Sequence, residues 1–354
     1  MKPLLALLFA FGSSLFAQDI QRFVAIDNVC AWPALTVLPD GSINATIFGK
    51  PSHGLMEGAV EVWNSADGQL WEKRGVPAPN EPHTIRMNHA AGLAKNGDLI
   101  VLCSGWTDVK QPDRPKQAPF RDAVLPAWIC RSTDGGKTWS QSKTFPEAEE
   151  GWGKYIPFGD IKIGEDGALH VSCYHGQRKE TAKGMKFISM RSWHLRSDDD
   201  GKSWKPISII HPKGNETTLL HLGGKRWLAA ARETGMDIFL SEDDGVTWGS
   251  PNRVTQTNEI NGHLARLKDG RIIVSYGNRI KTGDQLGVLA KFSSDEGKTW
   301  SDPTRIAFTK TTDCGYPSTV QRADGRLVTA WYSGSSEYHA RYHMGVAIWN
   351  APAQ

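Results

Sequence analysis

The chain has 354 residues, of which 41 are Lys or Arg and 38 are Asp or Glu, so its formal net charge is +3. This near balance excludes the large basic surface that nucleic acids and anionic membranes require. Charged residues make up 22% and hydrophobic residues 39%, which is typical of a folded globular protein and excludes a disordered chain. The 36 glycines and 14 tryptophans, in a chain with few helix-period stretches, favour many turns and short strands. We therefore predict an all-β fold.

The N-terminus has the features of a secretory signal peptide. Lys2 precedes an apolar run over residues 4–11, and the segment ends on the small residue Ala17. A basic start, a short apolar stretch and a small residue at the end are typical of such a peptide, and the run is too short to span a bilayer. We predict a signal peptide over 1–17, a single domain over 18–354, a secreted or periplasmic protein, and no insertion into a membrane.

One turn motif recurs along the chain in the form S-x-D-x-G-x-[TS]-W. In a tight hairpin, Asp and Ser or Thr oxygens accept hydrogen bonds from turn N–H groups, Gly allows a positive φ, and Trp packs back on the strands. We interpret the motif as a folding device and assign its Asp and Trp residues no chemistry. Its four full copies begin at Ser132, Ser197, Ser241 and Ser293, and a shortened copy begins at Ser65.

A second repeat, a Gly-containing turn that leads into a strand, alternates with the first. Such a turn between strand-like segments is a strong hairpin signal. Six copies at the spacing of four-stranded blades predict a six-bladed β-propeller. The segment 105–128, rich in Pro and charge, is predicted to be a long loop insertion, and loops on one face of such a ring usually hold the functional site. The six turns are Asp40-Gly41, Asn96-Gly97, Asp166-Gly167, Gly223-Gly224, Asp269-Gly270 and Asp324-Gly325.

These hairpins on six repeats resemble the Asp-box β-propellers of the sialidase (neuraminidase) superfamily, and the resemblance covers most of the chain. It implies an exo-glycosidase that removes a terminal acidic sugar with a tyrosine nucleophile, which a glutamate activates. Sialic acid carries a carboxylate on its reacting carbon, so a neutral phenol suits the attack better than an anionic side chain. In the family, three arginines hold that carboxylate with bidentate hydrogen bonds.

Two segments match the catalytic pattern of the family. Glu216 and Arg232 have the spacing of its activating glutamate and a clamp arginine, across one hairpin. Tyr316 lies in a Gly-Tyr segment that matches the nucleophile, and Arg279 matches the next clamp arginine. The resemblance therefore implies that Tyr316 is the nucleophile, Glu216 its activator, and Arg232 and Arg279 substrate-binding residues. A surface ion pair of Glu216 with Arg232, and a packing role for Tyr316, stay open as structural alternatives.

The first part of the pattern departs from the family. Ala31 stands where the family has its first clamp arginine, and the acid/base aspartate of the next loop is missing. That loop offers His53 and Glu57 to protonate the leaving group, and Arg86 and His89 are candidate substrate-binding residues for the same mouth. The missing arginine makes a related acidic sugar a plausible substrate in place of sialic acid.

Asp160 and His263, at predicted strand ends, are further candidate substrate-binding residues. There is no C-x-x-C, no His pair at metal spacing, no H-E-x-x-H and no G-x-S-x-G, so we predict no metal, no cofactor and no Ser-His-Asp triad. Three functions remain. They are a sialidase-type exo-glycosidase acting on a glycan or glycoconjugate, a hydrolase or lyase for a non-sialic acidic sugar using His53, His89 or His263, and a non-catalytic propeller that binds carbohydrate or protein. We expect a monomer with no nucleic-acid partner.

Overall fold

The computed structural model describes residues 20–112, 116–149, 151–181, 184–282 and 285–353. The predicted signal peptide over 1–17 lies outside these ranges. Within them the chain forms 24 strands and no helix, which confirms the all-β prediction. None of the described segments is therefore a helix that could cross a membrane.

Four of the sheets are separate four-stranded blades, and three of these are antiparallel meanders of consecutive strands. Their inner strands are rich in β-branched and aromatic residues and are buried on both faces, as expected for strands packed between layers. The three meanders consist of β2 (Ala31–Val37), β3 (Ile43–Phe48), β4 (Val60–Ser65) and β5 (Glu72–Ala78); β14 (Thr217–Gly223), β15 (Arg226–Arg232), β16 (Met236–Ser241) and β17 (Asn252–Arg253); and β18 (Glu259–Arg266), β19 (Ile272–Asn278), β20 (Gly287–Ser293) and β21 (Thr304–Phe308).

The fourth blade joins the two ends of the described chain. In it, β22 (Cys314–Gln321), β23 (Leu327–Ser333) and β24 (His343–Trp349) form a meander, and β1 (Gln21–Asp27) pairs antiparallel with β24. This pairing satisfies the main-chain hydrogen bonds along one edge of the last strand, so the blade closes the arrangement.

The remaining eight strands form one sheet. Its two antiparallel halves are joined where two inner strands run parallel, with Gly159 opposite Ala90 and Asp160 opposite Ala91. The strands are β6 (Thr84–Leu93), β7 (Leu99–Thr107), β8 (Ala123–Ser132), β9 (Ser140–Ser142), β10 (Ile156–Ile163), β11 (Leu169–Thr181), β12 (Gly184–Ser197) and β13 (Lys205–His211).

The prediction of six blades is therefore wrong. The described residues form a β-propeller arrangement with four separate blades and this eight-stranded sheet. Turn repeats locate hairpins along the chain, but they carry no information about hydrogen bonds between the inner strands of neighbouring hairpins. The parallel pairing of β6 with β10 joins the inner strands of two neighbouring hairpins. The turn repeats therefore could not predict it.

Apolar side chains hold neighbouring sheets together. One core cluster combines Phe48 of β3, Ile85 of β6 and Tyr332 of β23, all fully buried. Burial of apolar area between layers is the main stabilising contribution in such a fold. The loop insertion predicted over 105–128 is too long, because its first residues belong to β7, which ends at Thr107, and its last to β8, which begins at Ala123.

The S-x-D-x-G-x-[TS]-W repeats are closed by shared side-chain hydrogen bonds. In the first full copy, Gly136 N–H donates to Ser132 Oγ at 2.8 Å, and the Thr138 hydroxyl donates to Asp134 at 2.6 Å. The indole of Trp139 donates to the Gly136 carbonyl at 3.0 Å. These bonds satisfy polar groups of the turn and place the indole against the strands.

Candidate active site

A cavity of about 220 Å³ lies between the inner strands of the five sheets. Aromatic side chains from these sheets form much of its lining, with polar groups between them. The aromatic residues are Trp32, Trp106, Phe158, Tyr174 and Tyr316. The predicted site residues that line the cavity are His53, His89, Asp160, Glu216, His263 and Tyr316.

Tyr316 and Glu216 meet at this cavity. Tyr316 Oη donates to Glu216 Oε1 at 2.5 Å. Arg232 Nη1 donates to Glu216 Oε2 and also lies 3.4 Å from Tyr316 Oη. Asn261 Nδ2 donates to Glu216 Oε2 at 2.6 Å. One carboxylate oxygen thus faces the phenol, while the other is held by an arginine and an amide.

The fold brings this group together from three strands. Glu216 directly precedes β14, Arg232 ends β15, and the Arg232 N–H donates to the Glu216 carbonyl at 3.2 Å, which extends the hairpin ladder. Tyr316 lies at an irregularity in the pairing of β22 with β23 and has a φ of 48°. A left-handed backbone is uncommon for a residue other than glycine, and such positions concentrate at functional sites.

Burial and charge keep the phenol protonated. Desolvation, together with the negative charge of Glu216, raises the pKa of Tyr316 well above the ordinary range of a phenol. Burial alone would lower the pKa of Arg232, but the adjacent Glu216 carboxylate outweighs this effect and raises it. At neutral pH Tyr316 is therefore a neutral phenol and Arg232 a guanidinium, both in contact with Glu216.

Arg279 lies beside the ring of the same tyrosine. Its Cζ is 5.6 Å from the centre of the Tyr316 ring, its Nε donates to the Cys314 carbonyl at 2.9 Å, and its Nη2 donates to Tyr332 Oη at 3.1 Å. A guanidinium in this position attracts negative charge that develops on the phenol.

An indole fills the region beside Ala31, where the family has its first arginine. Ala31 is fully buried, and the ring of Trp32 contacts those of His53, Tyr316 and Tyr332 edge-on, with centroids 5.0, 6.2 and 5.9 Å apart. Both Ala31 and Trp32 have positive φ, at 25° and 49°. This part of the lining is therefore aromatic and carries no positive charge of its own.

His53 forms a hydrogen-bonded pair with Asp313. His53 Nδ1 lies 2.6 Å from Asp313 Oδ1, which also accepts from Tyr332 Oη at 2.7 Å. The Tyr342 hydroxyl donates to the other carboxylate oxygen. Although burial opposes it, these hydrogen bonds hold the pKa of Asp313 well below its usual range. A carboxylate at Nδ1 fixes the proton there and leaves Nε2 to exchange a proton with a substrate.

Asp160 and His263 line both this cavity and a second one, so they form the cavity floor between the two. Thr319 N–H donates to His263 Nδ1 at 3.2 Å, which assigns the ring proton to Nε2, 2.9 Å from Asp160 Oδ2. Lys162 Nζ lies 2.6 Å from the same oxygen. Burial opposes ionisation, but Lys162 and His263 hold the pKa of Asp160 well below its usual range. Its Oδ1 is buried without a hydrogen-bond partner among the described residues.

His89 lines the cavity with its ring already engaged. Nδ1 lies 3.0 Å from the Met87 carbonyl, and Nε2 lies 3.0 Å from the Thr46 carbonyl. Burial lowers the pKa of His89, so the ring is neutral at neutral pH. The single N–H of the neutral ring can donate to one of these two carbonyls, and both nitrogens face the main chain, so His89 has no part in the proposed chemistry.

Four predicted residues do not line the cavity: Arg232 and Arg279, which contact Tyr316 as described above, and Arg86 and Glu57. Arg86 is 2% exposed, binds both carboxylate oxygens of Glu81 at 2.9 and 3.1 Å, and has its Cζ 4.0 Å from the centre of the Trp128 ring. Glu57 is exposed and accepts a hydrogen bond from the His83 N–H at 2.9 Å. Arg86 thus acts as a packing residue here, and Glu57 caps a neighbouring turn.

Arg121 and Tyr174 line the cavity but were not predicted to belong to the site. Arg121 comes from the connection between β7 and β8, whose richness in Pro and charge was the only signal in the sequence. Tyr174 lies on β11 in a segment that reads as an ordinary buried strand. Burial, followed by the charge of Glu216, raises the pKa of Tyr174 well above its usual range, so its phenol is neutral.

One group of potential metal ligands lies elsewhere in the described part of the chain. His211, Glu233 and Asp237 place ligand atoms within 4.8 Å of one another. Arg253 already binds both carboxylate oxygens of Asp237, at 2.7 and 3.0 Å, and so neutralises its charge. The group therefore satisfies itself as an ion-pair network.

Comparison with known proteins shows a match to one repeat-domain family and similarity to two sialidases. Residues 41–329 match the family model described as a BNR repeat-like domain. A sialidase from Micromonospora viridifaciens is 22% identical over 344 residues, covering 88% of this chain and 51% of that protein. A sialidase from Bacteroides fragilis is 24% identical over 206 residues, covering 49% and 37%. The chain therefore spans about half or less of the length of these relatives.

Solved structures share the fold. A protein of unknown function from Dyadobacter fermentans superposes with a TM-score of 0.79 at 21% identity, covering 94% of this chain and 99% of that one. The NanB sialidase from Streptococcus pneumoniae superposes with a TM-score of 0.67 at 12% identity, covering 93% and 70%. At these identities the superpositions show a common fold, and any activity has to be argued from the site.

Proposed function

The chain belongs to the family of BNR repeat-like domains, and from that premise we propose that it is an exo-glycosidase of sialidase type that removes a terminal acidic sugar from a glycan. The observation that carries the proposal is the 2.5 Å hydrogen bond from Tyr316 to Glu216 at the edge of an aromatic-lined cavity. A surface ion pair or simple core packing would not require the half-buried Tyr316 phenol to donate to this carboxylate, which an arginine and an amide already hold.

In the first step, Tyr316 Oη attacks the anomeric carbon of the sugar while its proton moves to Glu216. The bond from that carbon to the leaving oxygen breaks, and His53 Nε2 supplies the proton that the leaving group takes away. In the second step, His53 removes a proton from water, the water oxygen displaces Tyr316, and Glu216 returns the proton to the phenol. Two displacements at one carbon give net retention of configuration.

The charges around the phenol suit this sequence. Because the pKa of Tyr316 is raised by burial and by Glu216, the phenol needs a base in direct contact, and Glu216 is that base. As the proton leaves, negative charge builds on the phenol oxygen, near the guanidinium groups of Arg232 and Arg279. Fixed positive charges at the point where negative charge develops lower the barrier.

The same two arginines are the proposed ligands of the acidic group of the sugar. Both are half-buried and contact Tyr316, which lines the cavity. Asp160 on the cavity floor offers a buried oxygen without a partner among the described residues, and a sugar hydroxyl is the kind of donor that would satisfy it. We also propose that the enzyme acts outside the cytoplasm, on the strength of the predicted signal peptide.

A second candidate is a hydrolase for a different acidic sugar, and Trp32 is the observation that favours it. With an indole beside Ala31, the clamp has two arginines and an aromatic surface at its third position. In the family, three arginines form charged hydrogen bonds to the carboxylate of sialic acid. A site with two arginines fits a substrate whose acidic group needs fewer such bonds.

The test is turnover of 4-methylumbelliferyl glycosides of N-acetylneuraminic acid, of its deaminated analogue and of glucuronic acid. We expect release from at least one ulosonic acid glycoside, and a loss of about 10³-fold or more in kcat for Tyr316→Phe. Tyr276→Phe is the matched control, because Tyr276 is buried and its hydroxyl has no partner among the described residues. Unchanged turnover in Tyr316→Phe would refute the assignment, and turnover of glucuronide alone would select the second candidate.

A further inference from the structure

Arg121 presents a guanidinium to the cavity, and none of the described carboxylates balances its charge. It is the one arginine or lysine among the described residues that line the cavity. Its Nη1 donates to the main-chain carbonyls of Phe120 and Gly54 at 2.7 and 3.2 Å, and its described hydrogen bonds use no other guanidinium nitrogen. No described carboxylate lies within ion-pair distance, and burial lowers the pKa of Arg121 without displacing its charge at neutral pH.

The loop that carries Arg121 is held in place by its own ion pairs. Lys116 Nζ lies 2.8 Å from Asp108 Oδ1 and also donates to Asp122, whose carboxylate is fully buried. The Phe120 N–H donates to Asp108 Oδ1 at 2.8 Å. These bonds fix both ends of the segment next to Arg121, so the guanidinium is positioned before any ligand arrives.

The surroundings of Arg121 are suited to a sugar. Its Cζ lies 5.2 Å from the centre of the Trp106 ring, and Trp106 Nε1 donates to Asn88 Oδ1 at 3.1 Å. Tyr174 Oη lies 3.5 Å from Asn88 Nδ2, and all three of these residues line the cavity. An indole face beside amide and hydroxyl groups is a surface on which sugar rings pack and form hydrogen bonds.

The contact with Gly54 places Arg121 on the side of the leaving group. Gly54 directly follows His53, the proposed proton donor to the leaving oxygen, whereas Arg232 and Arg279 lie beside the nucleophile. Gly54 also has a φ of 69°, and a Cβ there would lie 3.1 Å from Arg121 Nη2, so glycine permits this close approach. Positive charge therefore lies at two places, with Arg121 in the cavity lining and Arg232 and Arg279 beside Tyr316.

We propose that Arg121 binds an anionic substituent, a sulfate or a carboxylate, on the sugar that leaves, so that the preferred substrates carry a second negative charge beyond the terminal acidic sugar. This inference rests on the proposed function for the direction of the leaving group. An oxyanion that accepts hydrogen bonds from the N–H groups of a half-buried guanidinium also balances its positive charge. Such charge-assisted hydrogen bonds are stronger than hydrogen bonds between neutral groups.

Direct binding tests the proposal without requiring turnover. The probes are galactose, galactose 6-sulfate and galacturonic acid, titrated against the full chain and followed by ligand-observed NMR. We expect at least one anionic sugar to bind about tenfold or more tightly than galactose, which corresponds to about 1.4 kcal/mol. The preference should vanish in Arg121→Gln, persist in part in Arg121→Lys, and weaken as salt is raised.

Arg305→Gln is the matched control, because Arg305 also packs on an aromatic ring and donates to two main-chain carbonyls, but lies outside the cavity lining. This variant should keep the preference. Equal binding of the three sugars to the wild type, or a preference that survives in Arg121→Gln, would overturn the inference. If Arg121→Gln does not fold, a wild-type preference that does not respond to salt overturns it equally. Failure of the glycosidase assay with the anionic preference intact would refute the proposed function alone.

Discussion

Tyr316 reaches Glu216 from a backbone conformation that few residues other than glycine adopt. Its φ is 48°, and the preceding Gly315 has a φ of 108° with space for little more than hydrogen, because a Cβ there would lie 3.1 Å from the Gly277 Cα. Left-handed positions of this kind cost about 1–3 kcal/mol unless the surroundings enforce them. A strained residue that also donates to a buried carboxylate supports a functional role for Tyr316.

Which of these residues could be predicted depends on how they are connected in the chain. Glu216 and Arg232 were within reach of sequence reasoning, because they end the two strands of one hairpin and hairpin spacing determines which residues face each other. His53 and Asp313 are 260 residues apart, so no local pattern relates them. Arg121 lies in an insertion outside the turn repeats, so the repeats do not predict where it lies relative to the blades. The family resemblance implied the pairing of Tyr316 with Glu216, whereas the contact of His53 with Asp313 and the place of Arg121 in the cavity were missed.

We predict that the effect of replacing His53 on the rate depends on whether the leaving group needs a proton. His53→Ala should lower kcat/KM by about 10²-fold or more on a glycoside with a sugar leaving group, which needs a proton, and far less on a 4-nitrophenyl glycoside, which does not. Comparison of the two substrates measures this difference. Glu57→Gln is the control from the same loop and should lower neither value selectively. If Glu57→Gln shows the selective loss and His53→Ala does not, the proton donor is Glu57.

At the scale of elements, the S-x-D-x-G-x-[TS]-W repeats stabilise their own hairpin turns through side-chain hydrogen bonds. In the last full copy, Asp295 accepts hydrogen bonds from the Thr299 hydroxyl at 2.6 Å, the Thr299 N–H at 2.9 Å and the Ser293 hydroxyl at 2.8 Å. The bonds from Thr299 and then Ser293 lower the pKa of Asp295 to about 2. The side chain therefore stabilises the fold above the carboxyl pKa of the unfolded chain, about 4, and loses this effect as pH falls toward 2.

Asp295→Ala should lower the free energy of unfolding by about 1–2 kcal/mol at pH 7, because three turn donors lose their acceptor. Urea unfolding followed by tryptophan fluorescence measures this change. Asp302→Ala is the control, since Asp302 is exposed and its carboxylate accepts no hydrogen bond from the described residues; it should change the value by less than about 0.5 kcal/mol. Equal effects of the two substitutions would contradict the role given to the repeat.

The same repeats show how far sequence patterns describe the elements. Each turn signal correctly marks a chain reversal, because the Asp, Gly and Trp positions are determined by bonds within a few residues of each other. The number of sheets depends instead on whether inner strands pair across the ring. Gly159 and Ala90 do so through the backbone, and main-chain pairing leaves no residue signature. For this reason the strands were predictable and the blade count was not.

At the scale of the whole molecule, two buried histidines lie where neighbouring sheets meet. His170 Nδ1 and His194 Nε2 are 2.8 Å apart, and both rings pack on Trp227 of the adjacent blade, with centroids 4.3 and 6.4 Å away. Burial, followed by the neighbouring His194, lowers the pKa of His170 to about 3, and burial lowers that of His194 to about 4. Both rings are therefore neutral at neutral pH.

Because these pKa values lie below the unfolded value of about 6.5, the unfolded chain binds more protons as the solution is acidified, and stability falls with pH from about 6.5 toward 4. Urea unfolding at pH 7.5 and pH 5 should show this loss. His194→Asn should be less stable at pH 7.5 and show a smaller decline, whereas His83→Asn, at an exposed position, should keep the wild-type decline. An undiminished decline in His194→Asn would exclude the pair as its source.

Mass spectrometry after incubation with a 2,3-difluoro analogue of the acidic sugar tests the nucleophile most directly. The fluorine atoms slow both displacements, and the fluoride leaving group keeps the first step faster than the second, so a covalent glycosyl-enzyme accumulates. We predict a mass increase on the peptide that contains Tyr316, its slow loss on dilution, and its absence in Tyr316→Phe. A stable adduct on another side chain, or turnover of the natural linkage by Tyr316→Phe, would contradict the assignment.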